Sequence, residues 1–416
     1  MVATFHVEPT PVTELLLRLL QVVAMAYTYN ATNWCVVYAS IINANLGSLG
    51  DNASLGNLSN CTDTPDPTAP HIVTSSLVFY TYSVPVILTI GILGNAVSLR
   101  VFLSRNMRKL SASTYLAALS TSDIAALVFY VLMEWLRWGL PQLNHDEQLD
   151  VLNSAGICQV LIYFSYVSRF LSAWFIVTFT MERYIGVCHP FKRKDICGSR
   201  SAQKVLSCLV LISLIVMLFK PILTSSREIQ TVNSRVHRCL PDPARPMMSF
   251  VLDSLYGLSI TVVPFLIISI LNALIIRKLL HRYKHHKKCH VVTEESIIRM
   301  EFTIILLVVS FVFIVLNLPY CFVWCKRFLL SREDLHRRPG SNSDLGQDFD
   351  NYEGVLMITR VIFYMNYCVN FFLYSVTGAY FRKELKILVF YRSQYGPYRS
   401  CSRNGNSSPT TPQSWV

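Results

Sequence analysis

The chain has 416 residues, of which 52% are hydrophobic and only 15% are charged. An ordinary soluble domain carries about 25% charged residues, so the composition excludes a typical soluble protein and indicates a membrane protein with modest loops. The net charge of +12 does not indicate nucleic-acid binding, because the basic residues lie mainly between apolar runs, as topology determinants do.

Seven apolar runs are long enough to cross a bilayer, since a membrane-spanning helix needs about 20 residues. The runs cover residues 76–101, 112–136, 157–186, 203–225, 248–276, 297–325 and 355–378. They predict an all-α fold, a seven-transmembrane helix bundle within residues 73–391. An N-terminal region, 1–72, precedes this domain, and a polar tail, 392–416, follows it and is predicted to be disordered.

The connecting segments predict the orientation of the bundle. The connectors after the first, third and fifth runs hold 14 Lys and Arg, the tail raises that side to 20, and the opposite side holds 11. This bias predicts a cytoplasmic tail and an extracellular N-terminus. Three glycosylation sequons just before the first span agree with that orientation, at Asn52, Asn57 and Asn60.

An apolar segment at residues 15–28 precedes the sequons. Ala24-Met25-Ala26 resembles the cleavage site of a signal peptide. Arg18 interrupts the segment, however, and the residues before it are acidic rather than basic. Both features argue against a cleaved signal peptide, and an eighth span is less favoured still.

Four of the 12 cysteines lie on the predicted extracellular side: Cys35, Cys61, Cys158 and Cys239. The others lie in spans, at their edges or on the cytoplasmic side, where disulfides are not expected. A bridge between Cys158, at the start of the third span, and Cys239, in the loop before the fifth, would hold that loop over the mouth of the bundle. We favour this pair over Cys35 with Cys61.

Nearly every span carries one landmark residue or motif. These are Asn95, Asp123, Glu182-Arg183-Tyr184, Pro264, Pro319 and the segment Asn370 to Tyr374. In this order they resemble the rhodopsin-like (class A) G-protein-coupled receptors over about residues 73–391. The following segment, "GAYFRKEL", resembles the family's short amphipathic eighth helix, with Phe381 and Leu385 inward and Arg382, Lys383 and Lys386 outward.

The resemblance implies a role for the charged pair at the inner end of the third span. In the family the arginine that Arg183 matches is held in the resting state and released to contact the G protein, so Glu182, Arg183 and Tyr184 are expected to couple the receptor to its G protein. The alternative is an interfacial arginine whose long side chain only reaches the headgroups.

The chain departs from the family pattern at several landmarks. Its fourth span has no tryptophan, Asn317 replaces the usual tryptophan of the sixth span, and Phe371 replaces the proline expected after Asn370. Arg299 stands near the place of the usual acidic partner of Arg183. "LNLP" and "NYCVNFFLY" instead resemble the invertebrate FMRFamide-receptor-like neuropeptide receptors, with thyrotropin-releasing-hormone receptors as relatives.

A carboxylate in mid-membrane, at Asp123, is costly enough to indicate function. Ser172 lies at comparable depth, and Asn366 and Asn370 share one face of the seventh span. By resemblance these residues, with Asn95 and Tyr374, form a site that holds water and sodium and collapses on activation. The alternative is a hydrogen-bonded cluster that only fixes helix packing.

Two ligand classes are disfavoured by single positions. The seventh span has no lysine that could form a Schiff base with retinal. Amine receptors place an aspartate two turns below the cysteine that opens the third span, and this chain has Ser165 there. The chain is therefore not expected to be a light receptor or an amine receptor.

The outer half of the bundle contains Glu134, Arg169, Lys220 and Arg360. Buried charges need partners or a wet cavity. One interpretation pairs Glu134 with Arg360 or Arg169; the other is a peptide pocket in which arginines bind carbonyls, an amidated terminus or an acid. The residues expected to bind ligand are Glu134, Ser165, Tyr166, Arg169, Asn317, Tyr320, Arg360 and Tyr364, the tyrosines adding aromatic walls.

The sequence thus predicts a plasma-membrane neuropeptide receptor that triggers exchange on a heterotrimeric G protein and has no catalytic site. A small-molecule or lipid receptor is the alternative within the class. A transporter or channel is disfavoured because the halves show no symmetry and no paired broken helices. Expected partners are arrestin and membrane lipids, and Ser414 to Val416 match the terminus that PDZ domains bind.

Overall fold

The computed structural model describes residues 71–143, 150–189, 191, 197–230, 235–285, 294–336 and 344–394. Six of its helices are long and apolar enough to cross a membrane, and a pair of shorter helices bent by 51° supplies a seventh crossing. The predicted all-α seven-helix architecture is confirmed. The predicted signal-like segment, the sequons, Cys35, Cys61 and the PDZ-binding terminus lie outside the described residues.

The membrane helices follow the predicted runs closely. Helices α1 to α4 comprise His71–Phe102, Ser111–Leu143, Ile157–Cys188 and Ser199–Ile222. Helix α5 consists of Pro246–Ile260 and Val262–His285, α6 of Glu294–His336, α7 of Asp344–Tyr364 and Asn370–Thr377, and α8 of Ala379–Gln394. Helix is the expected form of these runs, since lipid offers backbone groups no hydrogen bonds.

Helix α3 lies at the centre of the bundle. Its buried residues run from Cys158 near the outer end to Arg183 near the inner end. Gly156 precedes the helix with φ of 87°, a left-handed conformation that glycine adopts readily. Helix α4, by contrast, leaves Leu211 and Ile215 exposed, as is normal for side chains that face lipid. Because buried residues of α3 extend from its outer to its inner end, this one helix connects the outer and inner functional regions.

A β-hairpin follows α4 and replaces the last residues of the predicted fourth span. Strand β1, Thr224–Gln230, pairs antiparallel with β2, Arg235–Pro241. The apolar run was expected to extend to about residue 225, and the helix ends at Ile222; the Thr224 hydroxyl donates to the Lys220 carbonyl at 2.8 Å where the chain turns into the strand. The disulfide between Cys158 and Cys239, predicted from the sequence, is present and fixes the hairpin over α3.

Helix α7 breaks inside the membrane although it has no proline there. A 3₁₀ turn, Met365–Tyr367, separates its two parts. Asn95 of α1 donates from Nδ2 to the Tyr367 carbonyl at 2.6 Å, which satisfies an acceptor that the break removes from the helix. Side chains of neighbouring helices commonly satisfy freed backbone groups in membranes. The bend therefore does not require the proline that Phe371 replaces.

Helix α8 has the predicted amphipathic pattern. Phe381 is buried, Leu385 is half-buried, and Arg382, Lys383 and Lys386 are exposed. The sequence did not reveal the role of Glu384, which is buried and accepts hydrogen bonds from Ser104 at 3.2 Å and Asn106 at 2.9 Å. These bonds attach α8 to the turn between α1 and α2.

Candidate functional site

At the inner end of α3, Glu182, Arg183 and Ser111 form a closed polar set. Arg183 donates from Nε to Glu182 Oε2 at 2.6 Å, and its Nη2 also pairs with that carboxylate oxygen. Ser111, the first residue of α2, donates to Glu182 Oε1 at 2.6 Å and accepts from Arg183 Nη2 at 3.3 Å. All three residues are buried. The arginine is thus held by both α3 and α2 rather than extended toward lipid headgroups.

Two stacked aromatic rings lie beside this set. The Arg183 guanidinium lies 5.6 Å from the centroid of the Phe179 ring, on which Tyr115 stacks. Tyr184, the third residue of the motif, is half-buried and contacts His189 edge to face. The structure therefore places Glu182 and Arg183 together, and it leaves Tyr184 at the edge of the set.

In the middle of the membrane, Asp123 is the centre of a second polar set. Its carboxylate is fully buried and accepts from Ser172 at 2.6 Å through Oδ1 and from Asn370 at 2.7 Å through Oδ2. These bonds join α2, α3 and α7 at one level. Asn370 is also the first residue after the break in α7, so the acid contacts the helix where it bends.

The other residues predicted for this region have different partners. Asn366 donates to the carbonyl of Phe363 at 3.0 Å, within its own helix. The hydroxyl of buried Tyr374 has no hydrogen-bond partner in the described part of the chain, and its ring packs against Phe102 and Phe381. The side-chain oxygen of Asn95 likewise has no partner there. The structure thus gathers Asp123, Ser172 and Asn370. Asn95, Asn366 and Tyr374 are not hydrogen-bonded to Asp123.

Near the outer face, Glu134 and Arg360 connect α2 and α7. The Glu134 carboxylate lies 3.6 Å from Arg360 Nη1 and 4.0 Å from Arg137 Nη1. Of the two partners considered for Glu134, the structure thus shows Arg360 and not Arg169. Both Glu134 and Arg360 have side chains less than 15% exposed.

Arg169 instead lies among tyrosine rings. Its guanidinium carbon is 4.2 Å from the centroid of Tyr130, 4.9 Å from that of Tyr166 and 5.4 Å from that of Tyr256. Its Nε donates to the carbonyl of Ser165 at 3.2 Å. A cation over aromatic faces is attracted by their electron-rich π systems. Three helices, α2, α3 and α5, supply these rings.

Lys220 of α4 has a partner that sequence reasoning missed. Its ammonium lies 2.7 Å and 2.9 Å from the two carboxylate oxygens of Asp253 in α5. Tyr166 donates to Asp253 Oδ1 at 3.1 Å, and the Tyr256 hydroxyl donates to the Tyr166 carbonyl at 3.1 Å. The ion pair is therefore bonded directly to one of the rings that surround Arg169.

The remaining predicted ligand-binding residues also lie in the outer half. Tyr320 of α6 faces Phe363 of α7 at 5.4 Å between ring centroids. Tyr364 is completely buried and contacts Tyr130 edge to face at 5.4 Å. Asn317 donates to the carbonyl of Phe313 in the preceding turn. These side chains extend the tyrosine-rich region from α2 and α3 toward α6 and α7.

The hairpin above this region is basic and tied to α3. Arg227 and Arg238 are directly opposite each other in the strand register, next to the pair Ser226 and Cys239. Burial lowers the pKa of the Arg238 guanidinium from its ordinary value. Like charges on facing strands repel. The covalent link from Cys239 to Cys158, with Cα atoms 5.9 Å apart, holds the hairpin in place.

These features define a seven-helix membrane receptor with a tyrosine-rich outer region and a paired arginine at its inner end. Residues 94–374 match the family described as 7 transmembrane receptor (rhodopsin family), and the chain belongs to that family. Its members are receptors rather than enzymes, so this chain is a class A G-protein-coupled receptor, a multi-pass protein of the plasma membrane.

Known receptors for neuropeptides are similar to the chain. The thyrotropin-releasing hormone receptor of Gallus gallus is 28% identical over 117 residues, 28% of this chain and 28% of that receptor. The Homo sapiens receptor of the same name is 27% identical over 121 residues, 29% of this chain and 28% of that receptor. The FMRFamide receptor of Drosophila melanogaster is 23% identical over 309 residues, 73% of this chain and 52% of that receptor. The matches thus span less than a third of the thyrotropin-releasing hormone receptors and about half of the FMRFamide receptor.

Sequence reasoning missed four residues that the structure places beside the predicted ones. Ser111, Tyr130, Asp253 and Tyr256 each contact a predicted functional residue. A signal existed for Asp253, since it is an acid inside the fifth apolar run, where the cost of a charge indicates a partner. No comparable sequence signal marks Ser111 or the tyrosines, which are common residues in membrane helices.

Proposed function

We propose that this receptor binds an extracellular neuropeptide in its outer half and triggers nucleotide exchange on a heterotrimeric G protein. The N-terminus lies outside the cell and the tail inside. The observation that supports a peptide most directly is the combination of Glu134, Arg169 and Arg360 with tyrosines in one buried region. Peptides carry the carbonyls, charges and rings that such side chains bind.

One helix connects the proposed ligand region to the proposed G-protein site. Arg169 and Arg183 are both in α3 and are 14 residues apart. At 1.5 Å per residue, this separation is about 21 Å along the helix axis. Movement of α3 against α2 would change the bonds of Ser111 to Glu182 and Arg183 and release the arginine toward a G protein.

We also propose that a sodium ion binds at Asp123. Sodium prefers oxygen ligands, and the carboxylate of Asp123, the hydroxyl of Ser172 and the side-chain oxygen of Asn95 are of that kind. The buried Asn95 oxygen lacks a hydrogen-bond partner among the described residues, so it has an acceptor position to offer. The fully buried acid supplies the negative charge that would retain a cation.

Further partners are proposed on the cytoplasmic side. The exposed Lys383 and Lys386 of α8 suit the headgroups of anionic lipids. Arrestin would bind the tail after phosphorylation, and a PDZ domain would bind Ser414 to Val416 as an added strand with a captured terminal carboxylate.

A screen of synthetic neuropeptides on cells that express the receptor with a promiscuous G protein tests the main proposal. We expect at least one peptide to evoke calcium release in wild-type cells. Arg183→Ala should bind that peptide within a few-fold of wild type and should not trigger exchange. A response to lipids or small organic molecules alone would contradict the peptide assignment, and undiminished exchange in Arg183→Ala would contradict the coupling role.

A further inference from the structure

The buried charges in the outer half of the bundle leave one cation without an acid. Glu134 lies 3.6 Å from Arg360, and Asp253 lies 2.7 Å from Lys220. Arg169 is only 6% exposed, and in the described part of the chain no carboxylate oxygen lies within 4.0 Å of its guanidinium. A buried charge without a counter-ion is unfavourable, so its retention calls for a reason beyond packing.

The surroundings of Arg169 leave its forked end available. Tyrosine rings contact the guanidinium, and Nε donates to the Ser165 carbonyl. Within the described residues, neither terminal nitrogen donates a hydrogen bond. Rings attract the cation but offer no oxygen in the guanidinium plane. Two parallel N–H groups are the arrangement that binds a carboxylate through both of its oxygens.

Lys220 and Arg360 differ from Arg169 in having an acidic partner. Each is a buried cation of the same region, and each has an acid within 4.0 Å. The acids Glu134 and Asp253 are therefore already engaged, and the cations of the set outnumber its acids by one. A neutral carbonyl would satisfy hydrogen bonds at Arg169 but would leave its charge uncompensated, whereas a carboxylate satisfies both.

We infer that the activating ligand presents a carboxylate to Arg169. The inference rests on the proposed receptor function. It specifies the chemical class of the ligand group that contacts Arg169, deep in the outer half of the bundle. Arg169 lies 11 residues after the disulfide cysteine Cys158, about 16 Å along the helix. In a peptide the carboxylate is either a free C-terminus or the side chain of Asp or Glu, and the same guanidinium fork binds both.

The first test needs no ligand. Arg169→Met and Lys220→Met each replace a buried cation with an unbranched apolar side chain. Lys220→Met leaves Asp253 unpaired and should lower the thermal unfolding midpoint of purified, ligand-free receptor. Arg169→Met leaves no acid unpaired and should keep or raise the midpoint. If Arg169→Met lowers the midpoint as much as Lys220→Met does, Arg169 is a structural anchor and the inference is wrong.

The second test uses a library of short synthetic peptides, each made with a free and an amidated C-terminus and with acidic or amide side chains. Exchange on a purified G protein is measured with wild type, Arg169→Lys and Arg169→Met. We expect neutralising one carboxylate to raise the half-maximal concentration on the order of 100-fold in wild type, the loss typical of a buried charge partner. The same change should have little effect in Arg169→Met, and Arg169→Lys should lie between them.

The peptide pairs identify the source of the carboxylate. Sensitivity to C-terminal amidation indicates the terminus, and sensitivity to Asp→Asn or Glu→Gln within the peptide indicates a side chain. Full activation by a peptide with no carboxylate overturns the inference while leaving the peptide receptor intact. Activation by no peptide overturns the proposed function, and the ligand-free comparison then still decides the role of Arg169.

Discussion

The ion pair between Lys220 and Asp253 permits a quantitative prediction. The two side chains are 4% and 0% exposed, and the bridge joins α4 to α5. Removing one partner of a buried pair typically costs about 3–5 kcal/mol, since the other charge is left uncompensated. After Lys220→Met, Asp253 retains hydroxyl donors from Tyr166 at 3.1 Å and Ser249 at 3.5 Å, which places the loss near the lower limit, about 3 kcal/mol.

The double variant Lys220→Met/Asp253→Leu tests whether this loss comes from the unpaired charge. Replacing both members of a buried pair with apolar residues is often neutral, so the double variant should recover to within about 1 kcal/mol of wild type, the remainder being the lost acceptor of Tyr166. In thermal unfolding of the purified receptor, the single variant should lose on the order of 5–10 °C. Additive losses without recovery in the double variant would refute the reasoning.

Three other features give predictions of their own. Cys239→Ala removes the covalent link from the hairpin to α3. Flow cytometry of tagged receptor should show that surface expression or ligand binding is lost. Wild-type affinity in this variant would contradict an essential role for the disulfide. Ser111→Ala removes both the donor to Glu182 and the acceptor for Arg183, so nucleotide exchange without ligand should rise, and unchanged basal exchange would assign Ser111 to packing alone. Millimolar sodium should weaken agonist binding to wild type and not to Asp123→Asn, whereas equal sodium sensitivity of the two would leave only the structural cluster.

The sequence located the charges of the bundle but not all of their partners. Depth in the membrane follows from counting residues within one apolar run, and this left both Arg360 and Arg169 as partners for Glu134, of which the structure pairs Arg360. Pairing across helices also depends on how each helix is rotated, which single-run counting does not give. Lys220 and Asp253 are 33 residues apart, on helices separated by a hairpin that the sequence pattern did not reveal.

The hairpin was missed because its strands have little apolar alternation. Strand β1 has the sequence Thr-Ser-Ser-Arg-Glu-Ile-Gln, in which Ile229 is the only large apolar residue. Strand β1 pairs with β2, and the disulfide from Cys239 of β2 to Cys158 attaches the hairpin to α3. Cys158 is 81 residues away in the sequence, so a local pattern does not reveal this link. The polar set at Asp123 was expected from the acid in mid-span and from the family resemblance of the seventh-span segment, and the structure joins Asp123 to Ser172 and Asn370.

The break in α7 leads to a last prediction, at the position where this chain lacks the expected proline. The backbone N–H of Phe371 donates to no carbonyl among the described residues, and the Tyr367 carbonyl, four residues earlier, accepts from Asn95. Proline is tolerated near a helix start, where its missing donor has no partner to lose. Phe371→Pro should therefore fold and reach the cell surface, losing only the contacts of its half-buried ring.

Leu373→Pro is the matched control. The N–H of Leu373 donates to the Val369 carbonyl at 3.1 Å, so proline there removes a hydrogen bond and places its ring against the preceding turn, a cost of about 3 kcal/mol or more. Surface expression and the thermal midpoint of the two variants should differ accordingly. Phe371→Pro could instead destabilise the receptor as much as Leu373→Pro does. The backbone N–H of Phe371 would then be needed for folding, and the bend would depend on more than the bond from Asn95 and the 3₁₀ turn.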